Sequence, residues 1–280
     1  MTSTEAIEPS SKLIMQISAG YNVDFNFIAK LLKAVTSKNK SSFVKKELSA
    51  SLGVSDLHAK KLGTIAQSLG LTQKRTNKPT ELGLLISKND SFFDDLGTLW
   101  FLHYVISSDS SILFWNRMVN IVLPKTPKIT KETAKETFVD LREFRSAYSA
   151  SEHVDKELKT FFNSYADQKF SRLNYLYKEG DYYILGTGVE VPPLVLAASI
   201  ARYRDRHRPL DTALPVAELL SSPNSPGVVF NLSEEQLRNG LEALKNEKGF
   251  GLENRADLDQ VRLTDHTPDY IWLERYYEQR

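Results

Sequence analysis

The sequence predicts a mainly α protein in which two winged helix-turn-helix modules with small β-wings flank a helical middle. Three observations carry that reading. Between residues 41 and 83, apolar residues at helical spacing are interrupted by a glycine, resume on a second helix and run into a short basic hairpin. A similar order returns after residue 216, and the stretch between is apolar and aromatic at helical rather than alternating spacing. The divisions fall as a flexible tail at 1–11, an N-terminal module at 12–90, a helical middle at 91–192 and a C-terminal module at 193–280, opened by Pro192-Pro193.

Residues 13–35 read as a strand or extended turn followed by a helix with Phe25, Ile28, Leu31, Leu32 and Val35 inward. Phe43, Val44, Leu48 and Leu52 share a helical face, and Gly53, free to take positive φ, reads as the turn. Ser55 can cap the next helix through its side-chain oxygen, and Leu62, Ile65, Ala66 and Leu69 form that helix's inward stripe. The opposite face carries His58, Lys60, Lys61, Thr64 and Gln67. A recognition helix points such side chains at a major groove, lysines toward phosphate and Thr or Gln toward base edges. Gly70 ends the helix. Residues 71–73 and 79–82 then read as the arms of a wing tipped by Lys74, Arg75 and Lys78.

Charge is concentrated on this module. Residues 38–78 hold nine basic side chains, Lys45 and Lys46 among them, against Glu47 and Asp56, a local net of +7. The whole chain carries +1, so the remainder sums to −6. Clustered positive charge is the electrostatic footprint of nucleic-acid contact, and duplex DNA is the expected partner. Solvated surface lysines and a protein-docking module are the alternative readings of the same residues.

Elsewhere the composition excludes more than it proposes. No apolar run approaches the ~20 residues a membrane span requires, and the N-terminus is acidic, so a cytoplasmic protein without a secretory signal or membrane partner is expected. The chain has no cysteine, which removes disulfides, thiol catalysis and thiolate metal sites. No glycine loop for phosphates or dinucleotides is present, and no cofactor is evident.

In the middle, residues 96–106 are apolar nearly all round and read as a buried helix capped by the Asp94-Asp95 pair or Thr98, with His103 a core histidine. A second apolar helix runs from 112 to 122 and is closed by Leu123-Pro124. A basic, proline-containing connection at 125–131 follows, then a helix from Thr130 through Phe138, Leu141 and Phe144. Phe161, Phe162, Tyr165, Phe170, Tyr175 and Tyr177 read as core, and residues 182–185 as a strand. The C-terminal module opens on a helix bearing Arg202, Arg204, Arg206 and Arg208, a secondary basic patch. A short helix at 217–220, a turn at 223–227, a strand at 228–230, a helix capped by Ser233 with Gln236, and a hairpin complete it. Its wing, with Glu253, Arg255, Asp257, Asp259 and Arg262, is near neutral and suits protein docking or homodimerisation better than DNA.

A metal-dependent nuclease needs carboxylates, often with an imidazole, converging on a divalent ion. Asp205, His207 and Asp211, interleaved with arginines, are the better candidate cluster; an exposed helix end with a salt-bridged loop uses the same residues. Asp265, His266 and Asp269 form another, for which a turn is the simpler account. The metal is not identifiable from these residues; magnesium or manganese would enter only for a nickase.

Three motifs in order, residues 93–104 (FDDLGTLWFLHY), 79–83 (PTELG) and 225–233 (SPGVVFNLS), resemble domain-of-unknown-function family 4007, which includes SspB-type proteins of bacterial DNA phosphorothioation systems. The resemblance spans roughly residues 17–262. It implies a component of sulfur-modification machinery in phage defence, working with an ATPase and a sulfur transferase, and it suggests DNA nicking. Members of the family open with a His-Glu-Thr-Phe-like element followed by an Arg, where this chain has Ser18-Ala19-Gly20-Tyr21-Asn22-Val23-Asp24-Phe25. The expected function is therefore a DNA-binding component that recruits modification enzymes to duplex DNA. A protein-binding scaffold or a transcriptional regulator without catalysis is the alternative.

Overall fold

The computed structural model describes residues 13–37, 45–74, 76–143, 147–255 and 258–280, with the side chains at 37, 45–47, 142–143 and 147–150 outside that description. The tail expected at 1–11, and the expected apolar positions Phe43, Val44 and Phe144, lie outside the described residues. Within them the chain is mainly helical, with two small three-stranded antiparallel sheets.

The N-terminal part comprises α1 (Phe25–Ser37), α2 (Lys45–Leu52), α3 (Asp56–Ser68) and α4 (Glu81–Asn89). Gly53 takes φ +66° between α2 and α3, and Ser55 accepts the His58 N–H to cap α3. Leu62, Ile65, Ala66 and Leu69 are fully buried. Gly70 leaves the helix at φ +71°. The two-armed wing expected next is reduced to an isolated bridge, Thr72 with Pro79, made by the Gln73 N–H donating to the Lys78 carbonyl and the Thr80 N–H donating to the Leu71 carbonyl. Proline at 79 has no N–H to extend the ladder, and Thr80 turns at once to cap α4.

The middle is built on α5 (Leu96–Ser107), capped by Asp95 and buried from Gly97 to Ser107. A helix buried on every side needs partners all round. It finds them in α10 (Pro193–His207), a 3₁₀ turn at Lys169–Leu173, and α12 (Pro226–Phe230). The helix expected at 112–122 continues through the proline rather than stopping: α6 (Leu113–Arg117) passes through a π-helical turn, Met118–Val122, into α7 (Leu123–Lys125). Widening the turn suits a proline that cannot donate to the carbonyl four residues back.

β1 (Lys128–Ile129) precedes α8 (Lys131–Glu136), and the single helix expected from Thr130 onward breaks into a 3₁₀ turn at Val139–Glu143. Then come α9 (Ala147–Ala166), β2 (Leu176–Glu179) and β3 (Tyr182–Leu185), the first sheet having the order β1-β3-β2.

The C-terminal part holds β4 (Ala213–Pro215), α11 (Val216–Ser221), α13 (Glu234–Ala243), β5 (Phe250–Arg255), β6 (Leu258–Leu263) and α14 (Asp269–Glu278). Residues 228–230, expected as a strand, belong to α12. Ser225 accepts the Val228 N–H, Pro226 presets the first helical φ, and Asn231 ends the turn in the left-handed region. These local devices override the β preference of two valines and a phenylalanine. The β4 strand and α14 were not foreseen. β4 completes the sheet β4-β6-β5, and α14 packs on α10 and α4, its Tyr277 hydroxyl 2.5 Å from that of Thr98.

Candidate nucleic-acid interface

The α3 helix presents its polar face in two halves. Lys60 is exposed, and Lys74 and Lys78 are exposed beyond the helix; among the described residues no ion pair within 4.0 Å engages any of the three. The other half is covered. His58 lies stacked on Tyr21, ring centroids 4.4 Å apart at 8°, with Phe27 edge-on at 5.3 Å. Burial lowers its pKa despite Asp24 nearby, which favours the neutral ring. Lys61 is half-buried, its pKa lowered by desolvation and partly restored by Glu157.

Glu157 explains how the cover is held. Its buried carboxylate accepts the backbone N–H groups of Ile17, Ser18 and Ala19 and the Ser18 hydroxyl, at 2.9–3.3 Å. The segment from Ser18 to Tyr21 is thereby pinned to α9 and laid beside α3. Sequence reasoning missed Tyr21, Phe27 and Glu157 because their partners lie on other elements, with Glu157 139 residues from Ser18.

The remaining two base-reading candidates are engaged locally. Thr64 donates its hydroxyl to the Lys60 carbonyl. Gln67 donates to Asn77 Oδ1 at 2.9 Å, and Asn77 holds φ +55° in the turn after the helix. Gln67 therefore fixes the turn that carries Lys74 and Lys78. The Lys45 and Lys46 side chains and all of Arg75 lie outside the described residues.

The arginine run divides rather than forming one patch. Arg204 is fully buried, bonded to Asp205 and the Thr267 carbonyl, so it joins the core where a basic patch was expected. Burial of that guanidinium is tolerable because a carboxylate lies 2.7 Å away. Arg202 pairs with Asp269 at 2.6 Å and Arg208 with Glu218 at 2.8 Å. Arg206 pairs with Asp109 at 3.3 Å and keeps a third of its side chain exposed. Burial raises the Asp109 pKa, but Arg206 and the hydrogen bonds from Ser111 outweigh it and hold the carboxyl below its usual range, with the smallest contribution from Lys74 in the turn after α3. Arg206 and Lys74 thus flank one acid, joining the α3 surface to the end of α10.

Asp205 is held by Arg204, and Asp211 lies 3.3 Å from Arg208. His207 packs against Tyr203, ring centroids 4.7 Å apart. Asp265 accepts the Thr267 hydroxyl, and Asp269 faces Arg202. Among the described residues no group of three or more carboxylates and imidazoles is placed to hold a metal ion. No helix among them is long and apolar enough to cross a membrane.

His103 lies fully buried, 2.8 Å from the Val229 carbonyl through Nε2 and 2.5 Å from the Tyr165 hydroxyl through Nδ1. The carbonyl can only accept, so Nε2 carries the proton and Nδ1 accepts from tyrosine. Burial depresses its pKa to about 4, making it a neutral core residue.

The model of the DUF4007 family, proteins of unknown function, matches residues 20–277. No curated protein matches. A magnesium-ion-bound SspB crystal structure superposes with a TM-score of 0.78 at 17% identity, over 96% of this chain and 88% of that one. A second SspB crystal structure gives 0.77 at the same identity and coverage. At this identity the likeness establishes a shared fold.

Proposed function

The chain belongs to the DUF4007 family, and from that premise we propose that it is a DNA-binding component of a bacterial phosphorothioation or related defence system. It holds duplex DNA on the α3 surface and docks a partner, a sulfur transferase or ATPase component, through its C-terminal part. The single observation that carries the reading is the set of exposed lysines Lys60, Lys74 and Lys78, without an ion-pair partner among the described residues, together with Arg206. Helix–turn–helix geometry across Gly53 and the short turn after Gly70 support a winged-helix engagement of the groove.

In the C-terminal part the order α10, β4, α11 with α12, α13, β5, β6 and the sheet order β4-β6-β5 support the reading of a second winged helix. There the charges are spent on one another. Arg238 bonds Asp259 and Glu234, and Arg262 bonds Glu253. That supports docking of a protein rather than phosphate.

The geometry favours binding over cutting. Asp205 and Asp211 each face a guanidinium, and among the described residues no group of three or more carboxylates and imidazoles converges.

Gel-shift titration of a duplex across salt tests the proposal. If about six phosphates are contacted, affinity should fall ~10³-fold or more over a fourfold rise in salt. A flat salt response would sink it.

A further inference from the structure

The sheet β1-β3-β2 has one face that nothing among the described residues covers. On its inner face Tyr183 stacks on Phe162 of α9, centroids 4.0 Å apart, with Ile129 opposite it in register. Alternation then turns Tyr182, Ile184 and Tyr177 outward. Tyr177 and Tyr182 keep 43% and 44% of their surface exposed, unusual for two large aromatics on one small sheet. The register pairs both Tyr177 and Lys128 with Ile184, so Lys128, Ile184 and Tyr177 form a row across all three strands. Tyr182 lies diagonally from Tyr177, about 7–8 Å away by sheet geometry. That spacing lets two neighbouring bases of an extended strand lie on separate rings.

The charge around the rings fits the same occupant. Lys128 already holds its ammonium 4.6 Å over the Tyr182 ring, whereas Lys131 lies beside the inward-facing Tyr183, 5.8 Å from its centroid. Residues 124–131 contain Lys125, Lys128 and Lys131 and no acid. A cleft of about 530 Å³ continues from Tyr182, lined by Lys131 and Lys178 but also by Glu132 and Asp181. Glu179 pairs with Tyr182 across the hairpin and shares its face, so one carboxylate borders the Tyr182 ring, while Asp181 sits at the turn. Flat π-faces flanked by mobile ammonium groups bind single strands with little regard to sequence, because every base has a face to stack.

We propose that this sheet face is a stacking platform for single-stranded nucleic acid, with Tyr177 and Tyr182 under successive bases and Lys125 and Lys128 along the backbone. It stands apart from the α3 surface and does not rest on duplex binding there. The test is fluorescence anisotropy of the full chain with a labelled oligothymidylate and, separately, a labelled duplex at low salt. Tyr177→Ala and Tyr182→Ala should each weaken the single strand about tenfold or more, the pair more than either, with duplex affinity unchanged. Tyr182→Phe, which keeps the ring, should bind like the parent. Matching melting temperatures would show that the variants fold.

Three outcomes would overturn the platform: no binding of the strand by the parent, parental strand affinity in the alanine pair, or loss of strand binding in Lys60→Glu/Lys74→Glu/Lys78→Glu instead. Absence of duplex binding by the parent would count against the α3 surface and leave the platform standing.

Discussion

The region of α2 and α3 and the region from β4 to β6 differ in what their charges touch. In α3 and the turn after it, Lys60, Lys74 and Lys78 project without an ion-pair partner among the described residues. In α13 and its hairpin, Arg238 and Arg262 are closed onto Asp259, Glu234 and Glu253 at 2.6–2.9 Å. The hairpins differ in the same sense. The N-terminal one is a single bridge bounded by Pro79, whereas β5 and β6 pair over six residues each. A long ladder brings side chains on adjacent strands opposite one another, which lets Glu253 meet Gln260 and Arg262. A turn without a ladder leaves its lysines to solvent. One surface is thus offered to anions and the other is neutralised.

The largest effect expected from breaking that contrast is on duplex affinity. Lys60→Glu/Lys74→Glu/Lys78→Glu should weaken binding roughly 10²-fold or more and flatten its salt dependence, whereas Arg238→Glu/Arg262→Glu should leave both unchanged in a gel shift. Equal losses would erase the distinction between the modules. Lys61 is a poorer target than its exposure in sequence suggests, since reversing it would set a second carboxylate near Glu157.

The next effect is on stability against pH, and it concerns how α12 is tied to the core. His103 is neutral when folded, with a pKa of about 4 against 6.5 for the free side chain. Above 6.5 neither state takes up the proton, so stability is full. Between 6.5 and 4 the unfolded chain binds it and the folded chain does not, and about 3 kcal/mol is lost as pH falls. Urea unfolding across that window should show the loss, and His103→Gln should remove much of the slope. An unaltered slope would show that other groups set it.

A smaller effect sharpens the comparison at the joints. A Cβ on Gly83 would fall 2.1 Å from the Leu71 carbonyl oxygen, and one on Gly227 2.3 Å from that of Leu220. Alanine at either site should cost about 1–3 kcal/mol by urea titration, because backbone must move. A tolerant Gly83 beside an intolerant Gly227 would mark the N-terminal joint as the softer one. The smallest effect belongs to Arg238→Ala, whose pairs are solvent-screened; melting temperature should scarcely move.

Much of the helical frame was legible because its signals are local. Gly53, Ser55, Gly70 and Ser233 act on backbone groups within a few residues, and each does in the structure what its chemistry predicts. The buried α5 was legible because an all-round apolar helix has one solution, to be surrounded. Residues 228–230 were misread since a short apolar run suits strand or helix alike, and the caps at Ser225 and Asn231 decided it. Sequence showed nine basic residues on the N-terminal module but gave no means of sorting exposed from covered ones.

By itself, then, the sequence determined the caps and turns of several helices, the concentration of positive charge between residues 38 and 78, and the family. Only the tertiary structure decided which charges remain available. Glu157 pins Ser18 beside α3, Arg204 sinks into the core against Asp205, and β4 joins a hairpin from which it is distant in the chain. Local conformation depends on neighbours a few bonds away, whereas burial and ion pairing depend on residues the chain brings together from far along its length.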